Sequence, residues 1–463
     1  MTARLATDAL AALDRAHLVH PVAAWRQHEQ RGPLVLASGR GAWLTDANGN
    51  ELLDAFAGLW CVNIGYGQDS VVQAATAQLH KLPYATGYFG FASEPAIRLA
   101  AKLVEITPAS LTRAYLTLGG SEAVDAAVRF IVQYWNACGK PSKKHFISLE
   151  RGYHGSSSTG AGLTALPVFH RGFDLPLPTQ HYIPSPNPYR HPQGSDAQAL
   201  IASSVAALRA KVAELGPDNV AAFFCEPIQG SGGVIVPPAG WLKAMREAAR
   251  ELGILFVVDE VITGFGRTGP MFACEAEGVE PDLMTMAKGL TAGYVPMGAT
   301  MLSEHVYATI ADAAPPGAPI GHGATYSAHP VGAAVALEVL RLYEEGGILA
   351  NGRRVAHRFA AGLDALRDHP LVGDSRHRGL LGALELVSDK ASKRGFDAAL
   401  GLPDRLFAAA YRNGVIFRCF GDATLGFAPA LTFTEAELDH LFVRLRRTLD
   451  DVLAAPDVRS ALA

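Results

Sequence analysis

Short apolar runs recur through the middle of the chain, at Ala114 to Leu118, His145 to Leu149, Val220 to Cys225, Ile254 to Val258 and Leu283 to Met286, and the stretches between them carry apolar residues at helical spacing. A strand that is apolar without alternation is covered on both faces, and strands alternating with helices are joined by crossovers. This region therefore predicts an α/β domain on a mainly parallel sheet. Upstream, Gly41 to Phe56 (GAWLTDANGNELLDAF) sets apolar stretches on either side of Ala47-Asn48-Gly49-Asn50. Asn-Gly tolerates the positive φ of a tight turn, so a β-hairpin is expected there. The proline-rich PLPTQHYIPSPNPYRHP, from Pro176 to Pro192, interrupts the alternation and is expected to be an extended surface excursion. Beyond about Leu342 comes a charged helical stretch (EEGGILANGRRVAHRFAAGLDALRD), then strand-like HRGLLGALELV, GVIFRCF and TLGFAPALTF, then a last helix. Thr434-Glu435-Ala436-Glu437 opens that helix with the spacing of a capping box. The chain thus divides into an N-terminal segment over 1–65, a large domain over 66–340 and a smaller α+β domain over 341–463, with the N-terminal hairpin packed against the last. There is no internal repeat and no low-complexity tract.

The 463 residues carry 40 Lys and Arg against 44 Asp and Glu, for a net charge of −4, and no basic block that could track a phosphate backbone. That disfavours nucleic acid as a partner. Only 18% of residues are charged and 49% are hydrophobic, a balance that predicts an oligomeric interface beyond the core of one chain. Five scattered cysteines, Cys61, Cys138, Cys225, Cys274 and Cys419, form no CxxC, so neither a disulfide framework nor a zinc cluster is expected. The opening MTARLATDALAALDRAHLVHP lacks the uninterrupted apolar core of an export signal, and no run approaches the ~18 apolar residues of a membrane span. A cytoplasmic location is expected.

Ligands of open α/β sheets bind outside the carboxyl ends of the strands, so the chemistry is sought there. After the strand ending at Leu118 come Gly119-Gly120-Ser121-Glu122 and a helix. Two glycines let a ligand approach the backbone, and the free amides at the helix start suit a phosphate, with the Ser121 hydroxyl as a further donor. A plain Ser-capped helix fits the same segment. After Ile254 to Val258 comes the pair Asp259-Glu260 at the mouth of a buried strand. A carboxylate there requires a cation, a protonated ring nitrogen or a hydrogen-bond network, and an ion pair with Arg267 is the structural alternative. After Leu283 to Met286 comes Lys288, 29 residues beyond Asp259. A lysine among apolar neighbours has its ammonium form disfavoured and can attack an aldehyde, whereas a surface lysine would do nothing of the kind. Phosphate cup, buried acid and Schiff-base lysine together are what pyridoxal 5′-phosphate needs. The absence of GxGxxG after the first strand argues against a nicotinamide oxidoreductase.

Seven segments carry a family resemblance: GLWCVNIGYG (Gly58 to Gly67), GGSEAVDAAVR (Gly119 to Arg129), GYHG (Gly152 to Gly155), EPIQG (Glu226 to Gly230), DEVITGFGRTG (Asp259 to Gly269), AKGLTAGYVPMGA (Ala287 to Ala299) and HGATYSAHP (His322 to Pro330). With them the chain resembles the class III, fold-type I, pyridoxal-phosphate-dependent aminotransferases from about His20 to the C-terminal helix. The resemblance implies a mainly parallel seven-stranded sheet in the large domain, a smaller α+β domain, and a homodimer with shared active sites that can pair further into a tetramer. It implies that Lys288 forms the Schiff base and moves the proton, and that Asp259 holds the pyridinium nitrogen. Tyr153 and Val261 would cover the two ring faces. Gly120, Ser121 and, from a second copy, Thr325 would bind phosphate, and His154 and Glu226 would support the cofactor.

Within the family the chain is most similar to pyruvate-dependent ω-amino acid and amine transaminases, through Gly58-Leu59-Trp60-Cys61 and the region of Arg418. Trp60 would wall the substrate pocket, with Tyr88 and Phe89 added from the other subunit. Arg418 would pair with a substrate carboxylate and swing away for a carboxylate-free amine, a role suited to its planar fork; a surface ion pair is the alternative. Relatives that use 2-oxoglutarate usually place a Glu where this chain has Ser231, which points to pyruvate as acceptor. Many relatives read Asn-Ser-Gly-Ser-Glu where this chain reads Leu118-Gly119-Gly120-Ser121-Glu122, which removes a hydroxyl and predicts a weaker grip on the cofactor. The expected reaction is amino transfer from an ω-amino acid or primary amine to pyruvate by a ping-pong route. A 2-oxoglutarate-dependent aminotransferase of the 4-aminobutyrate or ornithine kind, or an aminomutase, are the alternatives.

Overall fold

The computed structural model describes residues 7–194 and 196–462; the first six positions of the N-terminal segment, Ser195 and Ala463 lie outside the described residues. Helices α1 (Thr7–His17) and α2 (Trp25–Arg31) come first and bury no residue within the chain. Strands β1 (Leu36–Arg40), β2 (Trp43–Asp46) and β3 (Glu51–Asp54) follow as an antiparallel meander. The hairpin expected around Asn48-Gly49 is β2–β3, with Gly49 at φ 90° and Asp46 Oδ1 accepting the backbone N–H of Asn48 and of Asn50.

The central sheet has seven strands in the order β4-β10-β9-β8-β7-β5-β6. They are β4 (Leu111–Thr117), β5 (His145–Leu149), β6 (Gln180–Ile183), β7 (Val220–Cys225), β8 (Leu255–Asp259), β9 (Leu283–Met286) and β10 (Gly298–Ser303). Strand β10 runs antiparallel to both neighbours and the other pairs are parallel, so the carboxyl ends of β4, β5, β7, β8 and β9 share one edge. Every position of β7, β8 and β9 is buried, which is why these runs are apolar without alternation.

Two expectations need correction. The proline-rich stretch is not wholly an excursion, because its proline-free centre Gln180–Ile183 pairs with β5 as the edge strand β6. An edge strand needs only one hydrogen-bonded side, and prolines just outside it cost nothing. GVIFRCF is not one strand either. It breaks at Phe417 into β13 (Val415–Ile416), parallel to β3, and β14 (Arg418–Cys419), which joins β11 (Val372–Arg378), β12 (Leu381–Leu386) and β15 (Thr424–Phe427) in a third sheet. The charged helix starts at Ile348, after Gly347 at φ 73°, and the last helix, Glu435–Leu453, opens with the expected capping box. No helix of the described residues is long and apolar enough to cross a membrane, and all five cysteines are free.

One buried cation links the three sheets. Arg267 is fully buried, and its guanidinium donates to Asn63 Oδ1 at 2.6 Å, to the Leu380 carbonyl at 3.1 Å and to the Pro429 carbonyl. Burial pulls its pKa down to about 10. Among the described residues it makes no ion pair, so the Asp259–Arg267 alternative is not what forms. Arg267→Met leaves these acceptors buried without a donor, and an unfolding midpoint in urea is expected to report a loss of about 3 kcal/mol. A loss below about 1 kcal/mol would show that the contacts are replaceable.

Candidate active site

The candidate residues Gly120, Ser121, Glu226, Asp259 and Lys288 stand at or just past strand ends on the shared edge. Past β4, Gly119 is the N-cap of the helix Gly120–Ala137 and no side chain caps it, so Ser121 is inside the first turn rather than a cap. The amides of this turn are left open toward the cavity, which Gly120 and Ser121 line. A Cβ on Gly120 would meet Val261 Cγ1 at 3.1 Å, and one on Gly155 would meet Ser121 Oγ at 2.7 Å. The backbone therefore comes as close to the cavity as only glycine permits.

Asp259 ends β8 and is 4% exposed. Its Oδ2 accepts from His154 Nδ1 at 2.8 Å and its Oδ1 from the Val261 amide at 3.0 Å. Glu260 points the other way and is occupied by the Thr263 hydroxyl and the Cys274 amide. Only one carboxylate of the pair therefore faces the ligand space. Burial opposes the charged form of His154, but the Asp259 hydrogen bond and charge outweigh it, and the net shift is upward. His154 Nε2 is buried without a partner. Glu226 accepts the amides of Tyr153 at 3.0 Å and Gly230 at 2.9 Å, and burial raises its pKa to about 7. Lys288, two residues past β9, is pushed below the ordinary amine range by burial. Its backbone sits at φ 38°, a left-handed conformation that a non-glycine residue holds only under constraint.

These groups meet in one cavity of about 820 Å³. Tyr153, His154, Glu226, Ser231, Asp259, Val261, Lys288, Trp60 and Arg418 all line it with Gly120 and Ser121. An uncapped helix start, a buried carboxylate, a buried amine, and Tyr153 and Val261 as walls fit the phosphate, ring nitrogen, aldehyde and ring faces of pyridoxal 5′-phosphate. Trp60 stands edge-on to Phe56 at 4.9 Å and stacks on Phe420 at 6.4 Å. Arg418 is exposed, with its guanidinium 5.4 Å from the Phe420 ring, and makes no ion pair among the described residues. The surface ion pair weighed for it does not form.

Thr325, Tyr88 and Phe89 do not line the cavity of their own chain. They gather elsewhere: the Tyr84 hydroxyl donates to the Thr325 carbonyl at 2.9 Å, Tyr88 lies against Gly323, and Phe89 is 92% exposed. Sequence reasoning missed Arg151 and Asp422, which pair at 2.6 Å on the rim, and Phe169, edge-on to Tyr153 at 5.3 Å. It also missed Pro21 and Val22 in the wall. Adjacency to GYHG is the one signal that could have flagged Arg151; nothing in the local pattern points to the others.

The family model for class-III aminotransferases matches residues 25–449. The putrescine–pyruvate aminotransferase of Pseudomonas aeruginosa is 40% identical over 448 residues, 96% of this chain and 96% of its own length. The diaminobutyrate–2-oxoglutarate transaminase of Halomonas elongata is 37% identical over 430 residues, 91% of each chain. Among solved structures, the omega transaminase of Pseudomonas jessenii in complex with PMP superposes with a TM-score of 0.93 at 37% identity, over 96% of this chain and 98% of its own.

A carboxyl whose pKa rises on folding binds a proton as the chain folds, so Glu226 stabilises the fold least above about pH 7. The raised His154 acts in the same sense, since its favourable charge is lost as pH climbs through its folded pKa. Denaturation of the cofactor-free protein is therefore expected to show stability falling as pH rises from about 4.5 to about 7, with a flatter profile in Glu226→Gln. An unchanged profile in that variant would place the coupled proton elsewhere.

Proposed function

The chain belongs to the class-III aminotransferases, and within that family we propose that it moves an amino group from an ω-amino acid or a primary amine to pyruvate, yielding alanine. The observation that carries this reading is the pairing of Arg418 with Ser231 in one cavity. Ser231 occupies the position where the resemblance expects a neutralising Glu in 2-oxoglutarate users. Arg418 is thus left with the Phe420 face and solvent as its surroundings, free to meet the single carboxylate of pyruvate or to stay outside for an uncharged amine tail. The putrescine–pyruvate relative supports the same acceptor. The diaminobutyrate–2-oxoglutarate relative favours a second reading, in which 2-oxoglutarate is the acceptor.

Pyridoxal 5′-phosphate, the cofactor of this family, supplies an electrophilic aldehyde and an electron sink when bound. The open amides at Gly120 and Ser121 would hold its phosphate, and Tyr153 and Val261 would cover its ring. Asp259, oriented by His154 and the Val261 amide, would keep a proton on the ring nitrogen. Lys288 Nζ, whose ammonium form burial disfavours, is the base that takes the proton from the amine-bearing carbon and later returns it. Trp60 excludes water and bulk from one side of that carbon. Thr325, Tyr88 and Phe89 act in the site of a second copy, a placement supported by their lying together outside their own cavity.

Lys288→Ala is expected to lower kcat by about a thousandfold or more while the purified fold stays intact by circular dichroism. Normal turnover in that variant would sink the assignment. Arg418→Ala is expected to lower kcat/KM for pyruvate and β-alanine by about 10- to 100-fold and to leave 1-phenylethylamine nearly unchanged. Equal losses for all three would remove the switching arginine. The acceptor is decided by following the visible band of the holoenzyme, bleached by a donor and then restored by one keto acid at a time. Restoration by pyruvate and not by 2-oxoglutarate is the expected result, and the reverse would establish the second reading.

A further inference from the structure

Far from the catalytic residues in sequence, Asp14 on α1, His20 in the following loop and His28 on α2 converge on one point. His20 Nε2 and His28 Nε2 each lie 2.7 Å from a different oxygen of the Asp14 carboxylate. The two rings are 4.1 Å apart and tilted by 42°, so both present the same edge to the acid. All three side chains are more than half withdrawn from solvent, Asp14 down to 11% exposure. Within 4.8 Å of one another stand two imidazole nitrogens and a carboxylate oxygen.

We propose that Asp14, His20 and His28 form a binding site for a divalent transition-metal ion of the zinc class. Two imidazoles and one carboxylate are a donor set of intermediate softness, which suits Zn²⁺, Co²⁺ or Ni²⁺ and not the oxygen-seeking Ca²⁺ or Mg²⁺. An ion about 2.0 to 2.1 Å from each donor needs ligand atoms about 3.3 Å apart, so the 2.7 Å contacts must open by about 0.6 Å. Once ligated, each ring carries its proton on Nδ1 and offers Nε2 to the ion. Water completes the coordination, because three protein ligands leave a position open.

The location gives the ion a use. Helices α1 and α2 bury no residue within the chain, so polar contacts tether them: this cluster and the Arg31–Asp404 pair at 2.8 Å. Between His20 and His28 run Pro21 and Val22, which wall the catalytic cavity. Val22 sits at φ 51°, a conformation unfavourable for a β-branched residue that neighbouring contacts must enforce. An ion joining α1, the loop and α2 braces that wall.

The test is uptake of Zn²⁺ by tag-free holoenzyme, measured by calorimetry and by metal analysis after dialysis, with Co²⁺ as a spectroscopic probe. One Zn²⁺ per chain, visible-region Co²⁺ bands and a raised Tm are expected. The double variant His20→Ala/His28→Ala is expected to bind at least about tenfold more weakly and to lose the Co²⁺ bands. Asp14→Asn, which keeps the shape of the side chain, is expected to weaken binding as well, so a folding defect in the double variant would not decide the matter. Failure of the native protein to retain Zn²⁺, or equal uptake by native protein and both variants, overturns the proposal and assigns any bound zinc to the cysteines or the cofactor. None of these readouts depends on which amine or keto acid the enzyme uses.

Discussion

The guanidinium of Arg267 is the contact on which the site's geometry depends. It is buried, has no carboxylate partner among the described residues, and donates through its two terminal nitrogens to Asn63 and to the carbonyls of Leu380 and Pro429. Asn63 donates in turn to the Phe265 carbonyl at 3.2 Å, and the Tyr343 hydroxyl donates to the Gly289 carbonyl at 2.7 Å. This polar knot packs against Gly289, the residue after Lys288. A Cβ on Gly289 would meet Asn63 Nδ2 at 2.7 Å and Phe265 Cβ at 2.9 Å, so the residue after the lysine must be glycine. Held in this way, Lys288 keeps a left-handed backbone that it would not adopt alone. A half-satisfied network would loosen that geometry, because unmet polar groups in a buried site cost more than the bonds are worth.

Charge in the site follows a division of labour set by hydrogen bonding. Of the buried acids at the strand ends, Asp259 has a histidine partner and a backbone amide, Glu226 has backbone amides only, and Glu260 is taken up by Thr263 and Cys274. Burial pushes both Glu226 and Glu260 upward, while the proton on His154 is favoured by Asp259. Asp259 is therefore the one acid of the three with a histidine partner, and it also lines the ligand space. Distance and burial alone would not have chosen among the three.

Most of this chemistry was legible in the sequence because it sits where strands end. Gly119-Gly120-Ser121, Glu226, Asp259 and Lys288 each follow an apolar run, and parallel strands bring their carboxyl ends together whatever the lengths of the crossovers. Less legible was anything that depends on which neighbour a short segment chooses. Gln180–Ile183 pairs with β5 despite flanking prolines, and the chain at Phe417 leaves one sheet for another within two residues. Four-residue and two-residue strands carry too little periodicity to announce a partner. Phe169, Asp422, Pro21 and Val22 enter the cavity from loops whose local composition gives no sign of it.

That contrast between strand ends and loops separates the reaction from its specificity. The residues proposed for proton transfer, ring protonation and phosphate binding stand at the strand ends of the central sheet, where packing on both faces fixes their placement. The groups proposed to meet the rest of the substrate, Trp60, Ser231, Phe420 and Arg418, line the cavity from segments outside that sheet, and Arg418 is solvent-exposed. Trp60 contrasts with Arg418. It is 3% exposed, sits at φ 61°, and occupies space that only Gly426 leaves open, since a Cβ there would meet its ring at 2.8 Å. Pocket width on the Trp60 side is thus a property of the third sheet as much as of the tryptophan, and a change of donor size requires both to move, whereas a change of acceptor charge requires only the rim around Arg418.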